Sequence, residues 1–246
     1  MRDWKIGEII GLISATSFGL TVVYVYAYSI PLRFDLLQYL TLNDYLRLAV
    51  TWLVPVAMAL GAGLLIEASF SRAERGMTEE EIIAASPHPR FRRAFRGGSQ
   101  KVFPAVLALA VVLDTVLLLL KQFPKPLYFQ LWAIAGPYLW FAAIEWYSKE
   151  RKLIAHWSKA RLAWTLFFPA LIIFSFFLGL SKGEAAKGPA SSKNIARVFV
   201  LGQTDPLAGR ILFILDDYVL LLPDNGREVH AIPKTQISLI VEGGQK

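Results

Sequence analysis

The sequence predicts an integral membrane α-helical bundle of about five transmembrane helices, with a small all-β domain at its carboxyl end. Three observations carry that expectation. Five separate apolar stretches fill the first 180 positions, and each meets the roughly 20 residues that a helix needs to span about 30 Å of hydrocarbon. Hydrophobic residues make up 55% of the 246 and charged residues 18%, below the roughly 25% of an average soluble domain. After Gly179 the composition switches to small and polar residues, and then to short runs rich in Val, Ile, Leu, Phe and Tyr.

The stretches are residues 9–30, 48–66, 102–120, 127–147 and 162–180. The first is too long for the h-region of a signal peptide, about 7–15 residues, and no small-residue cleavage site precedes Pro31, so it is expected to stay as a helix. Small residues recur at every fourth position, at Gly11, Ala15 and Gly19, and again at Ala57 and Gly61 and at Ala59 and Gly63. Such faces let helix backbones approach closely in lipid, within one bundle or between subunits; packing within the bundle is the expectation here.

Residues 31–45 are too interrupted to cross. With Leu36, Leu37, Leu40 and Leu42 between Tyr39 and Tyr45, they read as an amphipathic helix lying in the membrane interface, and Asn43 and Asp44 as caps of the second span. The loop 67–101 starts a short helix at a Thr78/Glu81 capping box and breaks at Pro87 and Pro89. Beyond the prolines, Arg90, Arg92, Arg93 and Arg96 interleave with Phe91 and Phe95. That pattern can bind RNA, but beside a membrane it more often holds anionic lipid, at about 1 kcal/mol per basic residue. Anionic membrane lipids are therefore expected partners, and nucleic acid is not.

Charge placement predicts sidedness. Arg2, Lys5, the cations of loop 67–101 and those of loop 148–161 amount to fourteen, against four at Arg33, Arg47, Lys121 and Lys125. The positive-inside rule then places the amino terminus in the cytoplasm and, after five crossings, exports the carboxyl-terminal domain; Lys182, Lys187, Lys193 and Arg197 argue against export.

Two acids inside the spans are candidates, because an ionisable group there costs about 2.5–3.5 kcal/mol on insertion scales. Asp114 lies well within the third span, where it reads either as a proton or cation site or as a hydrogen-bonded acid that fixes helix register, with Thr115 among its possible partners. Glu145 stands among Trp140, Trp146 and Tyr147 and reads as an interfacial acid facing Lys149 or Lys152. Gly136 and Pro137 predict a kink in the fourth span, and the bulky, Phe-rich fifth span does not suit a pore.

The predicted division is a transmembrane domain over residues 1–181, a linker over 182–194 and a small β-domain over 195–246. Residues 197–202, 210–215, 218–223, 228–232 and 237–241 read as strands. Asn225-Gly226 signals a type I′ hairpin turn, and Pro233-Lys234 opens one helical turn before the last strand. The order Gly209, Ile211, Asp216, Tyr218, Val219, Leu220, Leu221 resembles the first motif of the Sm family, with one extra residue between glycine and aspartate. The resemblance implies a small SH3-like or Sm-like barrel. It does not imply RNA binding, because fold does not set function. Spans joined to such a barrel also resemble, in part, the mechanosensitive channels of small conductance, although those carry a Gly/Ala-rich helix before the barrel. The aromatic segment after the first span, and a tail with Val200-Leu201-Gly202-Gln203-Thr204 followed by Ile232-Pro233-Lys234, resemble bacterial multi-pass proteins of the inner membrane, a likeness that implies no activity.

Catalysis has little support. His88, His156 and His230 are scattered, and the chain has no cysteine, no metal-ligand spacing, no nucleophile elbow and no phosphate-binding glycine loop. No cofactor or metal is expected. The sequence therefore points to a non-enzymatic accessory or assembly subunit of a membrane complex acting through its barrel. The alternatives are an oligomeric channel or transporter using Asp114, and a membrane-disrupting effector with a ligand-sensing barrel.

Overall fold

The computed structural model describes residues 6–69, 79–85, 87–97, 103–120, 124–151, 159–188, 195–202, 205–223 and 228–242. Within them the chain is mostly helical and ends in a five-stranded antiparallel sheet. Each apolar stretch becomes a helix: α1 (Ile6–Leu32), α2 (Leu42–Ser69), α5 (Phe103–Leu119), α6 (Lys125–Arg151) and α7 (Lys159–Ala186). Two short helices, α3 (Glu79–Ala84) and α4 (Pro89–Gly97), lie between α2 and α5. Pro89 stands at the first position of α4, where its missing N–H costs nothing. Thr78 of the expected capping box lies outside the described residues.

Among the described residues, two helices are long and apolar enough to cross a membrane, over Ile10–Leu32 and Phe167–Ala186, while Ala105–Leu119 is apolar but shorter. Five crossings are thus not supported by these helices. Gln130, Gly136 and Pro137 dilute α6, and the side chains of α2 from position 59 onward lie outside the description. Apolar side chains nevertheless stand uncovered in regular rows. Leu42, Leu46, Val50, Val54 and Met58 follow one another every fourth residue along α2, all at least 53% exposed. On α5 the row is Leu109, Val112, Leu113, Val116 and Leu119.

The chain divides into two compact units, Met1–Thr16 with Leu53–Phe174 and Ser17–Trp52 with Ser175–Lys246. In the first, α5 packs on α6 and α3 on α4. Trp140 Nε1 donates to the Thr165 carbonyl at 3.0 Å, and Phe141 meets the Phe167 ring edge-on, so α6 also pairs with α7.

The second unit joins α1 to the end of α7. Ser175 Oγ donates to the Leu20 carbonyl at 2.8 Å, Gly179 lies on Tyr24, and Gly183 on Tyr28. Both partners advance by four residues each time, so the two helices run parallel. The expected linker from residue 182 is therefore helix as far as Ala186, held there because Ser181, Gly183 and Ala186 are buried.

The sheet has strands β1 (Ala196–Val200), β2 (Leu207–Ile214), β3 (Tyr218–Pro223), β4 (His230–Pro233) and β5 (Ile237–Glu242) in the order β4-β3-β2-β1-β5. A 3-10 turn, Lys234–Gln236, joins the last two, as the sequence suggests. Gly202, at φ +83°, turns the chain after β1. Two register shifts, at Phe199/Val200 and Ile211/Phe213, bend the sheet. Strand β3, between β4 and β2, is buried on both faces. Leu221 meets Val198 and Ile232 on one side, while Leu220 and Leu222 join Val25, Tyr28, Leu32, Leu36 and Ala186 on the other.

Candidate functional site

The residues with the most specific long-range chemistry fasten the sheet to the α1–α2 connection and to the end of α7. Arg33 closes α1 in the left-handed conformation, at φ +53°. The chain then makes a single 3-10 turn, Leu36–Tyr39, in which the Asp35 carboxylate accepts the Leu37 N–H at 3.1 Å. This corrects the amphipathic interfacial helix expected over residues 31–45. Leu36 is 2% exposed and packs with the sheet core, so its apolar surface is covered by protein. Burying a leucine in this way is worth about 2 kcal/mol.

Aromatic rings extend the seam. Phe34 stacks on Tyr39, Tyr39 meets Tyr218 edge-on at 5.2 Å between centroids, and Tyr28 meets Phe213 at 5.1 Å. Tyr45 contacts Phe18, with their ring centroids 5.4 Å apart.

Beyond the rings is a polar latch. The α2 helix opens with Thr41-Leu42-Asn43-Asp44: Asp44 Oδ2 accepts from Thr41 N at 3.1 Å, and Thr41 Oγ1 accepts from Asp44 N at 3.3 Å. That is a reciprocal capping box, with Thr41 rather than Asn43 as the cap. Asp44 also serves the sheet, since its Oδ1 accepts the Asp216 N–H at 2.9 Å. The Thr41 hydroxyl lies 2.9 Å from Asp44 Oδ2 and 3.2 Å from Asp216 Oδ2, and its one proton serves either carboxylate. Arg47 Nη2 stands 3.6 Å from Asp216 Oδ1, a partly exposed pair worth under about 1 kcal/mol.

Arg210 makes the second attachment. Its Nη1 donates to the Ala186 carbonyl at 3.0 Å and to Ala185 at 3.3 Å, and Nη2 reaches Gly188 at 3.4 Å. A guanidinium fork thereby satisfies carbonyls that the end of α7 leaves open. No local pattern distinguishes Arg210 from any other strand cation. Gly179 and Gly183, by contrast, carry the same four-residue spacing that singled out Gly11 and Gly19. A Cβ at Gly11 or Gly19 would meet nothing within 4 Å, so among the described residues nothing packs closely on that face. The close approach is at Gly179 and Gly183 instead.

Of the other sequence candidates, Gly209 sits where β2 meets β3, and a Cβ there would collide with the Leu222 carbonyl. Asp216 and Tyr218 lie in the seam. Pro233 ends β4, and Lys234 N donates to the Asp217 carbonyl at 2.9 Å. Asn225 and Gly226 fall outside the described residues. Asp114 stands on the half-buried side of α5, away from its uncovered row, and Thr115 Oγ1 bonds the Val111 carbonyl at 2.7 Å, so its proton goes to the helix backbone. Glu145 lies in α6 and Arg92 and Arg96 in α4, but their side chains are outside the description. Arg90 and Arg93 are exposed on α4.

An open groove of about 280 Å³ runs beside β4, lined by Val200, Leu207, His230, Ile232 and Gln236 among others. Among the described residues no three His, Cys, Asp or Glu side chains gather as a metal site. No protein-family model matches this chain, and neither a curated protein nor a solved structure matches it.

Proposed function

We propose that the chain is a non-enzymatic multi-pass membrane protein whose sheet is a contact module, making it an accessory or assembly subunit of a membrane complex. One observation carries this: the helix-facing side of the sheet is packed and latched, while Leu201, Leu239 and Val241 at the β1–β5 end remain 62%, 54% and 43% exposed. Apolar side chains on a sheet edge call for a protein cover.

The parallel packing of α1 and α7 supports more crossings than two. If both helices span, consecutive crossings must alternate in direction, so an odd number of crossings lies between them. The apolar helices α2, α5 and α6 supply three, which makes five in all. The uncovered rows on α2 and α5 are then lipid-facing. The loop charges support a cytoplasmic amino terminus, and the parallel run of α1 and α7 supports a sheet on the opposite side of the membrane. The strand order and the 3-10 turn before β5 support a small SH3-like or Sm-like barrel, and the bulge at Leu212 absorbs the extra residue between Gly209 and Asp216.

The test is Leu239→Glu with Val241→Glu, in the full chain extracted in lipid nanodiscs. Both positions are exposed, so melting is expected within about 0.5 kcal/mol of wild type. Co-purifying chains identified by mass should be lost. Partners retained at their wild-type ratio would sink the contact-module reading. The rival reading, an oligomeric channel, requires reconstituted ion or proton flux that Asp114→Asn removes; the expected result is no flux in either protein.

A further inference from the structure

The segment between α2 and α5 holds a surface that the sheet-centred reading leaves unused. There α3 packs against α4, and Ile83 of α3 is buried, at 7% exposure. Were the aromatic edge of α4 its contact with α3, Phe91 would be covered too. It is 71% exposed. Position 95 lies one turn further along the same edge, while positions 90, 92, 93 and 96, all arginine, share the rest of the circumference. Arg90 and Arg93 are exposed, and the helix contains no acid.

We propose that α4 is a docking surface for an anionic bilayer, lying in the headgroup plane with its phenylalanine edge at the acyl boundary and its arginines on lipid phosphates. This rests on the membrane reading above and adds the ligand class of a second surface. Separation of the two residue types is what selects lipid. A groove that binds single-stranded nucleic acid sets cations and stacking rings on one surface, so that a strand meets both at once. An interfacial helix divides them, rings towards the hydrocarbon and cations along the polar side. Each arginine near an anionic surface strengthens association about fivefold. No acidic side chain stands on α4 itself, and Glu79, Glu80 and Glu81 of the adjoining α3 offset only part of that attraction.

The chain has no cysteine, so Ala94→Cys, at an exposed position of α4, accepts a single environment-sensitive fluorophore in the full-length protein. The labelled protein is placed in nanodiscs of phosphatidylcholine alone and of phosphatidylcholine with phosphatidylglycerol. The expected result is a blue shift and quenching by shallow spin-labelled lipid only in the anionic discs, reversed by salt. Arg90→Gln and Arg93→Gln should each lower the docked-to-free ratio about fivefold. Phe91→Ser, which leaves the cations in place, should abolish the shallow quenching. Identical emission in the two lipids, or a response to a short RNA and none to lipid, overturns the proposal. A chain that will not enter nanodiscs overturns the membrane reading and this inference with it; a chain that enters while its label stays water-exposed overturns this inference alone.

Discussion

Replacing Gly183 with leucine is expected to part the end of α7 from α1 and to lower stability by about 3 kcal/mol, the upper end of what overpacking costs. A Cβ at this position would collide with the Tyr28 carbonyl oxygen and come within 3.1 Å of its carbon and 3.2 Å of Pro31 Cγ. Two of those neighbours are backbone, so no rotamer change makes room. Gly179 repeats the situation one turn earlier, where an added Cβ would stand 2.5 Å from the Tyr24 carbonyl oxygen and 2.9 Å from Ala27 Cβ. The damage would spread, because Ala186, a turn beyond Gly183, is part of the core under β3. Thermal unfolding in detergent decides the matter against Gly11→Leu, where a Cβ meets nothing and no cost is expected. Equal melting of the two variants would show that the α1–α7 approach does not hold the fold.

Asp44→Ala is expected to have the second-largest effect, also about 3 kcal/mol. Loss of the capping box accounts for about 1 kcal/mol. The remainder comes from the Asp216 N–H, which loses its 2.9 Å acceptor in a partly buried setting, at about 1–3 kcal/mol. Asp44→Asn should fall between alanine and wild type, since one carbonyl oxygen cannot replace both carboxylate oxygens, yet its neutrality eases repulsion with Asp216. Amide hydrogen exchange reads the latch directly: the Asp216 amide should lose protection in Asp44→Ala and keep most of it in Arg47→Ala. An Asp216 amide as well protected in Asp44→Ala as in wild type would mean that the sheet is held by its apolar seam alone.

Much of the sheet was legible in the chain because strands announce themselves locally. Tyr218–Pro223 is a continuous apolar run bounded by Asp216-Asp217 and Asp224, and the structure places β3 at the same residues. Such a run signals burial on both faces, and Leu220 and Leu221 are indeed buried on opposite sides of the strand. The helices were legible from their apolar length, though α7 runs beyond the point where polar residues suggested a linker. Lys182 and Glu184 remain on a helix because the residues between and around them pack on α1.

The latch was not legible. Thr41-x-x-Asp44 has the spacing of a capping box, yet nothing local tells that Asp44 also serves a backbone amide 172 residues away. The segment 31–45 misled for the same reason: its leucines look suited to a membrane interface until β3 is there to cover Leu36.

By itself, then, the sequence determined what each segment could bury: apolar length set the helices, and apolar runs between turn residues set the strands. Only the tertiary structure decided which surfaces cover one another: that Gly179 and Gly183, not Gly11 and Gly19, meet a second backbone, and that Asp44, Asp216 and Arg210 bind sheet to helix. The reason is physical. Local propensity and burial depend on residues a few positions apart, whereas close packing and shared hydrogen bonds depend on the complementary shape and polarity of segments far apart in the chain.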